Sequence, residues 1–118
     1  MRIPGAQLRV VREHLGLSRP QLATILGIST GVIADWEDGR DKTPIHLEQR
    51  LRTITSNTEQ HLDAYTGIYK PGDTVLTYRT DADYQRHDPT GLYTASWHRQ
   101  LCGRLLDAVP NLTIEFHR

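Results

Sequence analysis

Six basic side chains in the first half of the chain could bind phosphate. They are Arg2, Arg9, Arg12, Arg19, Arg40 and Lys42. Because the attraction of a cation for a phosphate falls off over a Debye length of about 8 Å at physiological salt, the placement of these cations matters more than their number. Residues 27–44 also contain four acids, Asp35, Glu37, Asp38 and Asp41. The question is therefore which side chains of this stretch face outward.

The histidines, the cysteine and the acids of the second half lack the spacing of a catalytic or metal site. The residues considered are His61, His87, His98, His117, Cys102, Asp81, Asp83 and Asp88. The three acids bracket a turn, where carboxylates commonly cap helices. We therefore expect no catalytic residue, no metal and no cofactor, and we do not expect an enzyme. An enzyme with His87 or His98 as metal ligands is the weakest alternative.

Composition limits the class of protein. The 118 residues carry 14 Lys and Arg against 14 Asp and Glu, a formal net charge of zero, so overall charge does not indicate nucleic-acid binding. The single cysteine, Cys102, excludes an internal disulfide framework. No apolar run approaches the length of a membrane span and no leader pattern is present, so we expect a cytoplasmic protein without a membrane partner.

Four helices are predicted in the first half. Pro4 begins the first helix, which ends at Gly16, and Thr43 with Pro44 begins the fourth. The second helix opens with Ser18 and Gln21, a capping box, and the third is capped by Ser29 and ends near Gly39. The apolar stripes of these helices are Leu8, Val11 and Leu15; Leu22, Ile25 and Leu26; Val32, Ile33 and Trp36; and Leu47, Leu51 and Ile54.

Only three residues, Gly27, Ile28 and Ser29, separate the second helix from the third. This is the length that a helix-turn-helix requires. The chain reads Leu17-Ser18-x-x-Gln21-Leu22-Ala23-x-x-Leu26-Gly27-Ile28-Ser29-x-x-x-Ile33-x-x-Trp36-Glu37-x-Gly39. From Leu8 to about Leu51 it resembles the Cro/C1-type (XRE) family of helix-turn-helix regulators. The resemblance implies a bundle of four to five helices that binds double-stranded DNA as a dimer on an inverted repeat and represses transcription.

The resemblance also implies roles for individual residues, and its phosphate-contacting position falls on Arg19. From their own position just after the third helix, Arg40 and Lys42 suit flanking phosphates. The residues at the groove-facing end of the third helix are Ser29, Thr30, Gly31, Ala34 and Asp35. Such short side chains are expected to make few contacts with the edges of bases. From the residues themselves, Trp36 is interpreted as a core residue and Glu37 as the partner of an arginine on the first helix.

The second half alternates between strand and helix signals. We predict a strand at residues 74–78, a turn or short helix at 81–86, a helix at about 95–109 and a terminal strand at 112–116. An isolated pair of strands is marginal in water, so pairing with a second copy is expected to bury the strand edges. The residues predicted to join the copies are Trp97, Leu101, Leu105, Ile114 and Phe116.

A second resemblance covers most of the chain. Trp36-Glu37-x-Gly39-Arg40-x-x-x-Pro44, Asp83-Tyr84-Gln85-Arg86 and Trp97-His98-x-Gln100 are similar to segments of the YdiL-like and anti-CRISPR-associated regulators of phages and mobile elements. In that group the C-terminal domain joins two copies, and the protein represses its own operon by covering a palindrome.

The predicted fold is mainly α, with a helix-turn-helix domain at residues 1–64 and a small α+β dimerisation domain at residues 65–118. The predicted function is a homodimeric, sequence-specific repressor that recognises a palindromic operator through the major groove. The alternative is an antitoxin-like protein whose C-terminal half binds a protein partner while the N-terminal half autoregulates.

Overall fold

A computed structural model describes residues 2–88 and 93–118 of the chain. Over these residues the chain is mainly helical with one small sheet, as the sequence predicts. The elements are α1 Gly5–His14, α2 Arg19–Leu26, α3 Thr30–Glu37, α4 Leu47–Ile68, β1 Thr74–Thr77, α5 Asp81–His87, α6 Ala95–Ala108 and β2 Thr113–Phe116. None of the helices in residues 2–88 and 93–118 combines the length and the apolar character that crossing a membrane requires.

The chain forms two compact units, Met1–Ser56 and Asn57–Arg118, which we call the N-terminal and C-terminal units. The division between them lies within α4, whereas the composition of the chain places a boundary after residue 64. Because the helical pattern of α4 is continuous across the division, the sequence contains no local signal at this point.

The caps of α2 and α3 confirm the predicted start of each helix. The Ser18 hydroxyl accepts a hydrogen bond from the backbone N–H of Gln21, and the Gln21 side chain accepts one from the N–H of Ser18. Gly27 ends α2 with a φ of +71°, in the left-handed region that glycine occupies without strain. Ser29 then caps α3 through a hydrogen bond to Val32. The two helices are therefore joined by the predicted three-residue turn.

The predicted start of the fourth helix is wrong. Thr43 does not cap it, because the Thr43 hydroxyl donates a hydrogen bond to the backbone carbonyl of Ile3 instead. The helix α4 begins only at Leu47, after a turn at residues 45 and 46. The hydroxyl thus ties the segment before α1 to the segment before α4.

The core of the N-terminal unit is built from the predicted apolar stripes. Leu8, Leu22 and Ile33 are fully buried, and α4 contributes the buried residues Leu47 and Leu51. Other buried apolar residues of this unit are Ile3, Leu15, Leu17, Ala23, Leu26 and Ile54. Trp36, predicted to be a core residue, is only partly buried.

The two strands of the C-terminal unit pair with each other in parallel, Thr74 opposite Thr113 and Thr77 opposite Phe116. Both strands and the intervening helices lie where the sequence predicts them. The connection between the strands contains α5 and α6, as a parallel pair requires a long crossover. Within one chain, each strand thus pairs its backbone groups along one of its two edges.

Three residues predicted to join two copies lie in the core of the C-terminal unit instead. The exposed fractions of Trp97, Leu101 and Leu105 are 1%, 1% and 0%. The Trp97 indole N–H donates to the Thr58 hydroxyl on α4 over 2.9 Å. These side chains cannot form a dimer contact, because residues of the same chain already cover them. Ile114 is partly buried and Phe116 is 39% exposed.

Candidate nucleic-acid interface

The N-terminal end of α3 is open to solvent. Ser29, Thr30 and Gly31 are exposed, while Ala34 and Asp35 are partly buried. A Cβ atom added to Gly31 would meet nothing within 4 Å, so the fold itself does not require glycine there. The missing side chain instead leaves room at the surface for another molecule to approach the backbone.

One of the two acids of α3, Glu37, has a buried side chain. The Glu37 side chain is 1% exposed and receives two hydrogen bonds from Arg12, at 2.8 and 2.9 Å. Arg19 adds a third at 3.1 Å. The prediction that Glu37 pairs with an arginine of the first helix is confirmed. The carboxylate therefore ties α1, α2 and α3 together and does not face an external ligand.

The charge state of this network follows from its hydrogen bonds. Burial acts to raise the pKa of Glu37, but the hydrogen bonds and charges of Arg12 and Arg19 outweigh it and hold that pKa below its usual value. The hydrogen bonds to Glu37 raise the pKa of Arg12 against the opposing effect of burial. Both groups are therefore ionised at neutral pH.

Arg19, predicted to contact phosphate, is partly neutralised inside the chain. Besides Glu37 it lies 3.4 Å from a carboxylate oxygen of Asp38, and its side chain is 31% exposed. Its first structural role is to hold the start of α2 against the end of α3.

Asp35 and Arg40 form an ion pair that the spacing of the sequence does not reveal. The two side chains are 38% and 70% exposed, and the closest nitrogen and oxygen atoms are 3.3 Å apart. An exposed pair of this kind contributes little to stability, so separating its two side chains costs little free energy. Replacing either residue nevertheless leaves the charge of the other without this partner.

A cleft of about 610 Å³ lies beside the C-terminal end of α3. It is lined by Arg2, Arg40 and Lys42 together with Trp36, Asp41 and residues of the segment before α1. Among the described residues, neither Arg2 nor Lys42 has an acidic partner within 4 Å. Arg2, one of the six cations considered from the sequence, is thus a candidate phosphate contact in the same cleft as Lys42, a grouping that spacing along the chain does not reveal.

The C-terminal unit contains a buried polar cluster with different chemistry. His98 Nδ1 lies 2.8 Å from the Thr77 hydroxyl and 3.6 Å from Cys102 Sγ, and His98 Nε2 lies 3.0 Å from the Tyr65 hydroxyl. Burial lowers the pKa of His98 to about 4 and raises the pKa of Cys102 to about 11. At neutral pH the imidazole is therefore uncharged and the thiol protonated, so the pair lacks the thiolate that a nucleophile needs.

Comparison with known proteins does not assign this chain to a family. A scan against protein-family models finds no match, and a search of curated proteins finds none either. Among residues 2–88 and 93–118, no three His, Cys, Asp or Glu side chains are grouped as ligands for a metal ion.

Proposed function

We propose that this chain is a sequence-specific DNA-binding transcriptional regulator that acts as a homodimeric repressor on an inverted repeat. One observation carries the proposal: α3 follows α2 after a three-residue turn and exposes its N-terminal end, while its Glu37 is buried between two arginines. Burial of this carboxylate leaves Asp35 as the one acid of α3 whose side chain could face an anionic groove.

In the proposed complex, α3 lies in the major groove, which is about 12 Å wide and accepts one helix. Thr30 contacts a base through its methyl or hydroxyl group, and Gly31 lets the backbone come close. Asp35 accepts a hydrogen bond from a cytosine amine once Arg40 turns to a phosphate. Lys42 and Arg40 hold the phosphates beside the C-terminal end of α3, and Arg2 joins them there.

The number of such contacts favours a dimer. Three cations line the cleft beside α3, and each phosphate contact contributes about 0.9 to the slope of log affinity against log salt. Two copies double the contacts and, on successive turns of the duplex about 34 Å apart, read an inverted repeat. The proposed repressor then blocks the promoter by occupying the palindrome.

The test is selection of bound fragments from random duplex DNA by the full chain. We expect an enriched motif with two-fold symmetry and half-sites one helical turn apart. Recovery of fragments without any common motif, at an affinity equal to that for random DNA, contradicts the proposal.

Replacing Lys42 with alanine should weaken binding to the selected site and to random DNA by the same factor. The reason is that Lys42 is proposed to contact phosphate alone. The salt slope should fall by about 0.9 for each phosphate that is no longer neutralised, about 1.8 for a dimer, in fluorescence-anisotropy titrations at several salt concentrations. Lys70→Ala removes a lysine of the C-terminal unit and is the matched control, with an unchanged slope. A change of sequence preference in Lys42→Ala contradicts the phosphate role.

Replacing Asp35 with alanine should change the preference at one base pair in each half-site. Asp35 is proposed to accept from a base, and one good contact discriminates by about 1–3 kcal/mol. The same selection repeated with Asp35→Ala measures the change. Because Asp35 pairs with Arg40, the variant also frees a cation and should bind random DNA slightly more tightly. An unaltered motif removes Asp35 from the base-reading surface.

A further inference from the structure

The outer edge of β2 carries unpaired backbone groups. Thr113 N–H donates to Asp73 C=O over 3.0 Å and His117 N–H donates to Thr77 C=O over 2.8 Å. The odd-numbered residues of β2 therefore direct their backbone groups toward β1. Because direction alternates along a strand, the groups of Ile114 and Phe116 point away from β1. In residues 2–88 and 93–118, neither residue makes a backbone hydrogen bond outside the sheet ladder.

Apolar side chains lie beside this edge, with charged groups around them. A groove of about 270 Å³ between α6 and β2 is lined by Leu106, Ile114 and Phe116 together with Arg99 and Glu115, and the Arg79 guanidinium lies 4.1 Å from the centre of the Phe116 ring. Leu106 is 45% exposed and Phe116 is 39% exposed. An open strand edge beside exposed apolar side chains is the arrangement to which another strand adds.

We propose that the occupant of this edge is β2 of a second copy, so that the two sheets join into one of four strands in the order β1, β2, β2, β1. This inference rests on the homodimer of the proposed function and names its contact. A two-fold axis relates the copies, so the two β2 strands run antiparallel. The even-numbered residues, which direct their backbone groups outward, form the hydrogen-bonded pairs.

Charge selects the alignment of the two strands. An axis through Glu115 puts two carboxylates directly opposite each other, which is destabilising. An axis through Ile114 instead puts Glu115 opposite Thr113 of the second copy, whose hydroxyl can donate to the carboxylate, and Ile114 opposite Ile114 of the second copy. On that alignment Phe116 lies beside Leu112 of the second copy. Polar residues thus meet polar residues and apolar residues meet apolar ones, so β2 complements itself without a foreign strand.

The proposal is tested with Phe116→Pro. Proline lacks the N–H that the second copy needs, but β1 does not use that N–H, and edge strands tolerate proline. Sedimentation equilibrium should give the mass of two chains for the wild type and of one chain for Phe116→Pro. Phe116→Ala, which keeps the N–H, should retain more dimer than Phe116→Pro. Leu76→Pro makes the same change on the outer edge of β1 and should remain dimeric.

Hydrogen exchange of the wild type provides a second measurement that does not depend on any variant folding. The N–H groups of Ile114 and Phe116 should exchange slowly at concentrations where the protein is dimeric and quickly on dilution. A dimeric Phe116→Pro, fast exchange of both groups in the dimer, or a monomeric wild type overturns the edge contact. A dimer that binds no DNA leaves this contact standing and removes the proposed function, so the two failures are distinguishable.

Discussion

Glu37→Ala should lower the free energy of unfolding by about 3–5 kcal/mol, the usual effect of removing one partner from a buried ion pair. The Glu37 side chain is 1% exposed and that of Arg12 is 10% exposed. Loss of the carboxylate leaves the Arg12 guanidinium charged, largely desolvated and with a single described hydrogen bond, to the carbonyl of Leu17. Urea unfolding followed by helical circular dichroism at pH 7 measures the change.

Glu13→Ala is the matched control. Glu13 also pairs with an arginine, Arg9, at 3.4 Å, but the two side chains are 57% and 60% exposed. Its removal should change stability by less than about 1 kcal/mol, because water screens an exposed pair. In Arg12→Met, adding Glu37→Ala should reduce stability by clearly less than Glu37→Ala does alone, since no buried cation is left unpaired. Equal losses in Glu37→Ala and Glu13→Ala would mean that burial of the pair has no energetic consequence.

The elements of the N-terminal unit are largely readable from the sequence because their signals are local. The Ser18 and Gln21 box, the Ser29 cap and the left-handed Gly27 each act within a few residues, and all three are present in the structure. Thr43 is a residue whose hydrogen bond the local sequence does not predict. Its hydroxyl has the pattern of a helix cap but bonds to Ile3, 40 residues away, and no local rule foresees that choice.

In the C-terminal unit, the sequence indicates which surfaces are covered but not which residues cover them. Apolar periodicity indicates that one face of α6 is covered, but it does not say by what. Trp97 and Leu105 form such a face and are buried by their own chain, whereas Phe116 of β2 is 39% exposed with the Arg79 guanidinium over its ring. The two predicted strands indicate that pairing is needed but do not identify the partner, because a parallel pair is set by the long crossover through α5 and α6.

Some features of the predicted DNA-binding surface follow from the sequence, whereas others appear only in the structure. Helical spacing brings Thr30, Gly31 and Asp35 to one side of α3, and the pairing of Glu37 with Arg12 follows from the need to neutralise a buried charge. The meeting of Arg2 with Lys42 depends on how the segment before α1 folds back, so it appears only in three dimensions.

Acidification from pH 7 to pH 4 should remove about 3 kcal/mol of stability from the C-terminal unit through His98 alone. Burial lowers the pKa of this imidazole from 6.5 in the unfolded chain to about 4 in the fold, and the charge of Asp88 only partly opposes the effect. Each unit of difference between the two pKa values corresponds to about 1.36 kcal/mol in the free energy of unfolding. Below pH 6.5 the unfolded chain binds a proton that the fold excludes, so the stabilisation is complete above pH 6.5 and disappears as pH falls toward 4.

The pH window distinguishes His98 from Glu37, a buried titrating group of the N-terminal unit. The pKa of Glu37 in the fold lies below 4.5, so its stabilisation is lost only at lower pH. Urea unfolding at pH 7.0, 6.0, 5.0 and 4.0, followed by the fluorescence of Trp97 in a Trp36→Phe background, reports on the C-terminal unit. His98→Asn should flatten the dependence of stability on pH even if it lowers stability at pH 7, and His46→Asn controls for the loss of one histidine. An equally steep dependence in His98→Asn would assign the proton to another group and leave the buried cluster of Thr77, His98 and Tyr65 as packing alone.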